Sequence, residues 1–559
     1  MITYRDRTRS ATVRDELARL RRLAREGELT DCAVEMGELE QGLADAEAPA
    51  RDDWGELERC LRSGSVAAAS ALLARRRDEP VEGCTARFRG AIDALEGLAP
   101  PPKTSVRVPE GYSHYALDPL AYADAAAEYH RAAGPDARRA VVVGIRSIGT
   151  SLSAIVAAAI GSDRSLTVRP RGESGARRIA TTERLASTLR GWMADAPDVL
   201  VVDEGPGATG ETFWCVAQWL GELGFPPERI ALLPSHTGGM ALAPEARRSW
   251  FAAARKFAPP IDDPRPRRVA ARFGLDDLVD LSAGRWRGHV DGGAGAPSWT
   301  GFERRKFLAR DRDGRLHQIR FAGLGRAGAE TLSRAERLHE LGTGPSVRGA
   351  REGFLVCRWQ RGRLCTAPEL TSGEFLVAVG AYLSGRAGRF ATGAEVNRAP
   401  ILALLEENAT ESAGSSRGVR AALRRIEALP PREAHIADAR LGAQEWLRSE
   451  GGFLKTDAVD HGDGLRFPGP ADLAWDLAGV AVELAVPAPL LRSWSAACAR
   501  TSGDDPHALL AAVRAYRPAY AAASLGDASI AAREAGCDAD RRMLAMLATR
   551  YRRALDRLL

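Results

Sequence analysis

The sequence predicts a multidomain α/β protein: a helical N-terminal region, a doubly wound parallel sheet and a C-terminal α+β region. Three observations predict it. The chain has 559 residues, too many for one hydrophobic core. Apolar runs and helical segments alternate from 139 to about 257, which is typical of a parallel sheet. After a proline-rich linker, strand-like runs precede a long helical stretch. We therefore predict domains at 1–103, 104–262 and 263–559.

Composition narrows the classes of function. The sequence is 45% hydrophobic and 27% charged, and its net charge is only +5. It has neither an apolar run of membrane-spanning length nor a recognisable leader, so we expect a soluble cytoplasmic protein without a membrane partner. Arginines are interleaved with acids rather than gathered in runs, which argues against nucleic acid as a partner. Eight cysteines form no Cys-x-x-Cys pair, so we expect reduced thiols. The oligomeric state stays open.

The first hundred residues favour helices, because Leu17, Leu20 and Leu23 recur at helical spacing. A second helical segment carries several acids. We expect them to form a solvated helix face rather than a metal site, since they are spread around the helix. These acids are Glu35, Glu38, Glu40 and Asp45.

A buried strand, two acids, a glycine-rich loop and a helix follow one another from Val199 to Thr212. Four apolar residues suit a parallel strand buried on both faces. The small-residue loop after it would present backbone N–H groups to an anion at the mouth of the next helix. Asp203 and Glu204, at the strand tip, are placed to accept hydrogen bonds from sugar hydroxyls.

An earlier strand, 140–144, is followed by a loop and a helix that predict a second anion site, with Arg146 supplying charge. Four of the nine tyrosines lie between 112 and 129; Tyr112 and Tyr115 either pack this segment or stack on a planar substrate. His236 follows another strand and is expected near the same crevice, because ligands bind at the carboxyl ends of parallel strands.

Together these segments resemble the type I phosphoribosyltransferases. The resemblance implies binding of 5-phosphoribosyl-1-diphosphate with Mg²⁺ and transfer of the phosphoribosyl group to an unknown small-molecule acceptor. It assigns catalytic roles to Asp203, Glu204 and Arg146. Glu211 stands where the family has a glycine, and the loop is one residue longer. The substrate-binding positions that the resemblance implies are Tyr112, Tyr115, Ser147, Gly149, Thr150, Gly205, Gly207, Ala208, Thr209, Gly210, Thr212 and His236.

In the last region, three strand-like runs precede helices, the order of a protein-kinase-like fold. Asp438 is followed by Asp457 and then by a helix carrying Asp472 and Asp476. This arrangement resembles the aminoglycoside-phosphotransferase branch of that fold. The resemblance implies that Asp438 orients an acceptor hydroxyl, that Asp457 binds Mg²⁺ with ATP as a possible nucleotide, and that Asp472 and Asp476 brace the lobe. It also places Gln444 or Glu445 near the metal.

The strand lysine of that branch is absent. Arg320 stands in its place as the predicted nucleotide-binding residue, with Glu336 as its possible helix partner. A guanidinium fork is not equivalent to an ammonium point charge. The run from Asp457 to Asp463, with Asp460 and His461, is either a metal cluster or a polar loop.

The sequence is therefore compatible with three functions. The first is a phosphoribosyltransferase-like enzyme, a glycosyltransferase fused to a kinase-like domain. The alternative is a non-catalytic sensor of a nucleotide or of phosphoribosyl diphosphate, which Glu211 and the missing lysine favour. The second alternative is an ATP-dependent phosphotransferase acting on a small molecule.

Overall fold

The computed structural model describes residues 7–412, 416–462, 467 and 469–559. The chain divides into two compact units. The first comprises residues 8–265 with 323–329; the second comprises 266–322 and 330–559, together with Arg7. The predicted domain boundaries after residues 103 and 262 stay predictions. Both units contain helices and sheets, so the coarse prediction of a multidomain α/β chain is confirmed.

The first unit has ten helices and seven strands among its described residues. The helices are α1 (Val13–Glu26), α2 (Leu29–Glu47), α3 (Glu56–Arg76), α4 (Glu82–Gly97), α5 (Glu110–Ser113), α6 (Ala121–Ala133), α7 (Gly149–Ile160), α8 (Glu183–Met193), α9 (Glu211–Glu222) and α10 (Glu245–Ala253). The strands are β1 (Thr8–Thr12), β2 (Lys103–Arg107), β3 (Val141–Ile145), β4 (Ser165–Val168), β5 (Val199–Val202), β6 (Ile230–Leu233) and β7 (Arg255–Lys256).

A five-stranded parallel sheet, in the order β4-β3-β5-β6-β7, forms the centre of this unit. Every residue of β3, β4, β5 and β6 is buried. Continuous apolar runs produce such strands because helices cover both faces of a parallel sheet. The predicted parallel sheet is therefore present, whereas a phosphoribosyltransferase domain is not shown.

Glu35, Glu38 and Glu40 of α2 are buried and Asp45 is partly buried, so the prediction of a solvated helix face is wrong. Glu35 accepts two hydrogen bonds from Arg19, at 2.5 and 2.6 Å. Glu40 lies 3.2 Å from Arg62 on α3, and both side chains are almost completely inaccessible. The acids spread around the helix because α2 is surrounded by protein, and arginines from neighbouring elements neutralise them.

The second unit begins with α11 (Arg265–Arg272), whose first residue belongs to the first unit. Its other helices are α12 (Gly325–Glu340), α13 (Gly373–Ala387), α14 (Ala399–Ser412), α15 (Ser416–Glu427), α16 (Ala474–Glu483), α17 (Ala488–Ser502), α18 (Pro506–Glu534) and α19 (Asp538–Leu558). Its strands are β8 (Leu275–Asp280), β9 (Lys306–Asp311), β10 (Leu316–Phe321), β11 (Val347–Arg351), β12 (Phe354–Arg358), β13 (Arg363–Leu364), β14 (Ala391–Glu395), β15 (Glu433–His435), β16 (Trp446–Ser449), β17 (Gly452–Lys455) and β18 (Ala471–Asp472).

An antiparallel sheet in the order β11-β12-β10-β9-β8 forms one part of this unit. The helices from α13 onward pack around a second core that contains Trp446, Trp475 and Tyr520. In this helical part, β15 to β18 are short segments that carry the polar loops of the site. No helix in the described part of the chain is both long enough and apolar enough to cross a bilayer.

Candidate active site

Two short strands of the second unit are each followed by an aspartate, and the two aspartates lie close together. Asp438 comes three residues after β15, and Asp457 comes two residues after β17. Asp476, in the first turn of α16, accepts the backbone N–H groups of Asp438 and Ala439 at 2.8 and 3.0 Å. Charge-assisted bonds of this kind are stronger than neutral ones. Asp476 therefore fixes the backbone that carries Asp438.

The Asp438 carboxylate is fully buried and held by three groups. Lys455 Nζ lies 3.2 Å from Oδ2, and the Tyr382 hydroxyl donates to the same oxygen at 2.5 Å. His461 Nδ1 lies 3.9 Å from Oδ1. Burial alone would raise the pKa of Asp438, but Lys455 and then His461 hold that pKa well below its ordinary value. The carboxylate is ionised at neutral pH.

Asp457, Asp460 and His461 offer ligand atoms that all lie within 4.8 Å of one another. His461 Nε2 is 3.3 Å from Asp457 Oδ2. Carboxylates suit Mg²⁺ and Mn²⁺, and imidazole also binds first-row transition metals, so the donor set fits a divalent cation. The assignment of these three residues to a metal cluster stays a prediction. Asp463 lies outside the described residues.

Arginines lie against the same carboxylates. Arg320 Nη2, from β10, is 2.8 Å from one oxygen of Asp457 and 2.8 Å from one oxygen of Asp460. Arg304 Nε lies 2.5 Å from the other oxygen of Asp460. The predicted pairing of Arg320 with Glu336 is not what the structure has, because Glu336 is on the exposed face of α12. The acids of the metal cluster replace it as partners.

The remaining predicted residues of this region contact other partners. Glu445 is buried and pairs with Arg440 at 3.3 Å. Asp472 pairs with Arg432 at 2.6 Å and accepts the N–H of Ala474 at the start of α16. Gln444, in the single turn before β16, makes no side-chain hydrogen bond to the cluster within the described part of the chain.

Sequence reasoning did not single out Lys455, Tyr382 or Arg304. Lys455 stands two residues before Asp457, so the motif itself carried that signal. Tyr382 on α13 and Arg304 before β9 reach the site through the fold. No local pattern marks either of them.

In the first unit, Asp203 and Glu204 lie at the end of β5 and are partly buried. Burial raises the pKa of Asp203 to about 7. Burial, and then the neighbouring Asp203 and Glu110, raise the pKa of Glu204 to about 8. The two carboxyls are therefore partly protonated near neutral pH. Tyr122 donates its hydroxyl to the backbone carbonyl of Asp203 at 2.7 Å.

Arg146, predicted to bind diphosphate, is buried in ion pairs with two acids. Its guanidinium lies 2.8 Å from Asp45 and 2.7 Å from Asp52. Arg169 also pairs with Asp45. Ser147 lies in the loop after β3, and Gly149 and Thr150 begin α7, as predicted for a strand-loop-helix segment. The cation of Arg146 is already neutralised within the chain.

Glu211, where the resemblance would require a glycine, is buried at the first turn of α9. Its Oε1 accepts the backbone N–H groups of Gly175 and Arg177 at 2.7 and 3.0 Å. A carboxylate of the chain thus occupies two backbone donors of the segment between β4 and α8. Arg177 also lies 3.9 Å from its other oxygen.

The other loop residues of this region have varied exposure. Gly207 and Ala208 are exposed, Gly205 and Thr209 are partly buried, and Gly210 is buried. His236 lies against this loop, because a Cβ at Gly205 would meet its Nε2 at 2.8 Å. Thr212 is partly buried. Tyr112 is buried, with its hydroxyl 2.8 Å from Ser151 Oγ, and Tyr115 is 39% exposed.

A scan against models of protein families finds no match for this chain, and neither does a search of curated proteins. Among solved structures, the chain is similar to choline kinase LicA from Streptococcus pneumoniae, with a TM-score of 0.32 and 12% identity, over 51% of this chain and 97% of that one. It is similar to macrolide 2'-phosphotransferase MphH from Brachybacterium faecium, with a TM-score of 0.31 and 18% identity, over 52% and 98%.

A third similar structure is the GDP complex of aminoglycoside 2'-phosphotransferase-IIIa, with a TM-score of 0.31 and 12% identity, over 51% of this chain and 97% of that one. At these TM-scores the likeness by itself assigns no activity to this chain.

The prediction of phosphoribosyl transfer is wrong, and with it the glycosyltransferase class and phosphoribosyl diphosphate as a substrate. The three solved structures reported above are a choline kinase, a macrolide 2'-phosphotransferase and an aminoglycoside 2'-phosphotransferase. The first unit gives a physical reason. Arg146 is paired with Asp45 and Asp52, and the Glu211 carboxylate accepts the backbone N–H groups of Gly175 and Arg177. The binding roles of the individual loop residues stay predictions.

Proposed function

We propose that the second unit is a divalent-cation-dependent phosphotransferase that uses ATP to phosphorylate a hydroxyl group of a small molecule. One observation carries the proposal: Asp457, Asp460 and His461 offer ligand atoms within 4.8 Å of one another, and His461 also reaches Asp438. A metal cluster beside a second, ionised carboxylate is the arrangement that phosphoryl transfer requires.

The residues have distinct roles in this proposal. Asp457, Asp460 and His461 would hold Mg²⁺, which neutralises charge on the transferred phosphoryl group when it is bound. Asp438 would accept a hydrogen bond from the acceptor hydroxyl and orient it. For this, Asp438 Oδ2 has to exchange the Tyr382 hydroxyl for the acceptor, because Tyr382 donates to that oxygen. Asp476 supports the loop and does not contact substrate.

ADP release from Mg²⁺-ATP, measured across a panel of small hydroxylated molecules, tests the proposal. We expect release by the full-length protein with at least one member of the panel. Asp438→Asn should lower kcat at least a hundredfold while ATP binding persists. Asp457→Asn should lower both. Asp313→Asn, an exposed acid on the β9–β10 turn, serves as the matched control. Absence of both ATP binding and ADP release in the wild-type protein would refute the proposal.

A second candidate is a non-catalytic nucleotide-binding domain. It is favoured by the cations that already neutralise the cluster: Arg304 and Arg320 on Asp460, and Lys455 on Asp438. In that case ATP binds without ADP release for any acceptor, and Asp438→Asn leaves the affinity for ATP unchanged.

A further inference from the structure

The acidic side chains of the proposed metal site alternate with basic side chains of the same protein. Arg304 contacts Asp460, Arg320 contacts both Asp460 and Asp457, and Lys455 contacts Asp438. His461 lies between Asp457 and Asp438. Each of the three carboxylates thus faces at least one basic side chain. The protein itself supplies these partners.

Arg320 occupies a particular place in this series. A single nitrogen, Nη2, is 2.8 Å from Asp457 Oδ1 and 2.8 Å from Asp460 Oδ1. The two carboxylates that Arg320 bridges are two of the three groups that offer ligand atoms to a cation. The side chains of Arg320 and Asp460 are 10% and 2% exposed, whereas that of Asp457 is 38% exposed, so a cation can reach the bridge from the Asp457 side. The guanidinium and a divalent cation therefore compete for the same carboxylates.

Displacing Arg320 has a cost that depends on what else is bound. Breaking a buried ion pair leaves an unpaired charge and is strongly unfavourable. A phosphate group removes that penalty, because guanidinium binds phosphate through parallel, charge-assisted hydrogen bonds. Arg320 lies on β10. The resemblance to the aminoglycoside-phosphotransferase branch implies that a nucleotide binds at this position. A nucleotide phosphate would give the side chain a second partner.

We infer that Arg320 stands in for the metal when no nucleotide is bound, so that divalent cation and nucleotide bind together rather than independently. This inference rests on the proposed function, because it takes the Asp457–Asp460 cluster to be the metal site. It implies a coupling free energy between the two ligands, and such coupling is reciprocal. Arg320 then determines when the site accepts metal, in addition to contacting the nucleotide.

Mn²⁺ alone, without nucleotide, is the direct probe. Free Mn²⁺ is measured by electron paramagnetic resonance during titration of the full-length protein. We expect Arg320→Gln to bind one Mn²⁺ at least tenfold more tightly than the wild-type protein, because the competing cation is gone. Arg315→Gln removes an exposed arginine from the same hairpin and should match the wild type. Adding Asp457→Asn to Arg320→Gln should abolish the gain.

Two further measurements keep the outcome decisive. Near-ultraviolet circular dichroism establishes that Arg320→Gln is folded; if it is not, Arg320→Lys, which keeps the charge but loses the fork, should give a smaller gain. Equal Mn²⁺ affinity in the wild type and Arg320→Gln would overturn the inference and leave the proposed function standing. Absence of Mn²⁺ binding by both proteins, with ATP also failing to bind, would overturn the inference together with the proposed function.

Discussion

The adjacent carboxyls Asp203 and Glu204 should make the stability of the first unit fall as the pH rises. Burial raises the pKa of Asp203 from 3.8 to about 7, and burial with the charge of Asp203 raises that of Glu204 from 4.5 to about 8. Between about pH 4 and pH 8 the folded state therefore holds protons that the unfolded state has released. Stability decreases with pH wherever the folded state binds more protons.

The magnitude follows from the size of these changes. A difference of one pKa unit corresponds to about 1.4 kcal/mol. Titration of Asp203 alone would therefore lower the free energy of unfolding by about 4 kcal/mol between about pH 4 and pH 8. Both side chains are only partly buried, and two neighbouring groups titrate together rather than independently. We therefore expect a loss on the order of 2 kcal/mol for the pair.

The double variant Asp203→Asn with Glu204→Gln should remove this dependence. Near pH 3, below the ordinary pKa of both carboxyls, it should match the wild type, since both are then protonated in the folded and in the unfolded state. At pH 8.5 it should be more stable by on the order of 2 kcal/mol. Hydrogen exchange of the β5 amides in urea, corrected for the intrinsic rate at each pH, measures this locally. Asp163→Asn, at an exposed acid of the same unit, is the control. Identical pH profiles for wild type and double variant would refute the reasoning.

Two other predictions concern the second unit. Asp476→Ala removes the acceptor of the backbone N–H groups of Asp438 and Ala439. It should destabilise this unit by about 3 kcal/mol in urea unfolding, because buried donors lose a charged partner. A loss of stability below about 0.5 kcal/mol would contradict this prediction. Gly462→Ala should lower the thermal midpoint by several degrees and weaken Mn²⁺ binding, since the added Cβ would lie 2.0 Å from the carbonyl oxygen of the residue preceding Asp438. Gly451→Ala, with nothing closer than 4.0 Å, should leave both unchanged.

Local sequence patterns predicted the helices and strands better than they predicted which groups surround each side chain. The apolar run 199–202 is the fully buried strand β5, because four consecutive apolar residues fit a parallel strand whatever the rest of the chain does. The acids of α2 show the opposite case. Their spread around the helix was compatible with solvent, but the structure pairs Glu35 with Arg19 and Glu40 with Arg62.

The sequence by itself determined the alternation of strands and helices, the order of a small antiparallel sheet before a helical region, and the acids at 438 and 457. Those features are written in periodicity and spacing. Only the tertiary structure decided which charges meet: Arg320 bridges Asp457 and Asp460 instead of pairing with Glu336. The physical reason is that an ion pair depends on distance in space, and the partners here are separated by about 140 residues of chain.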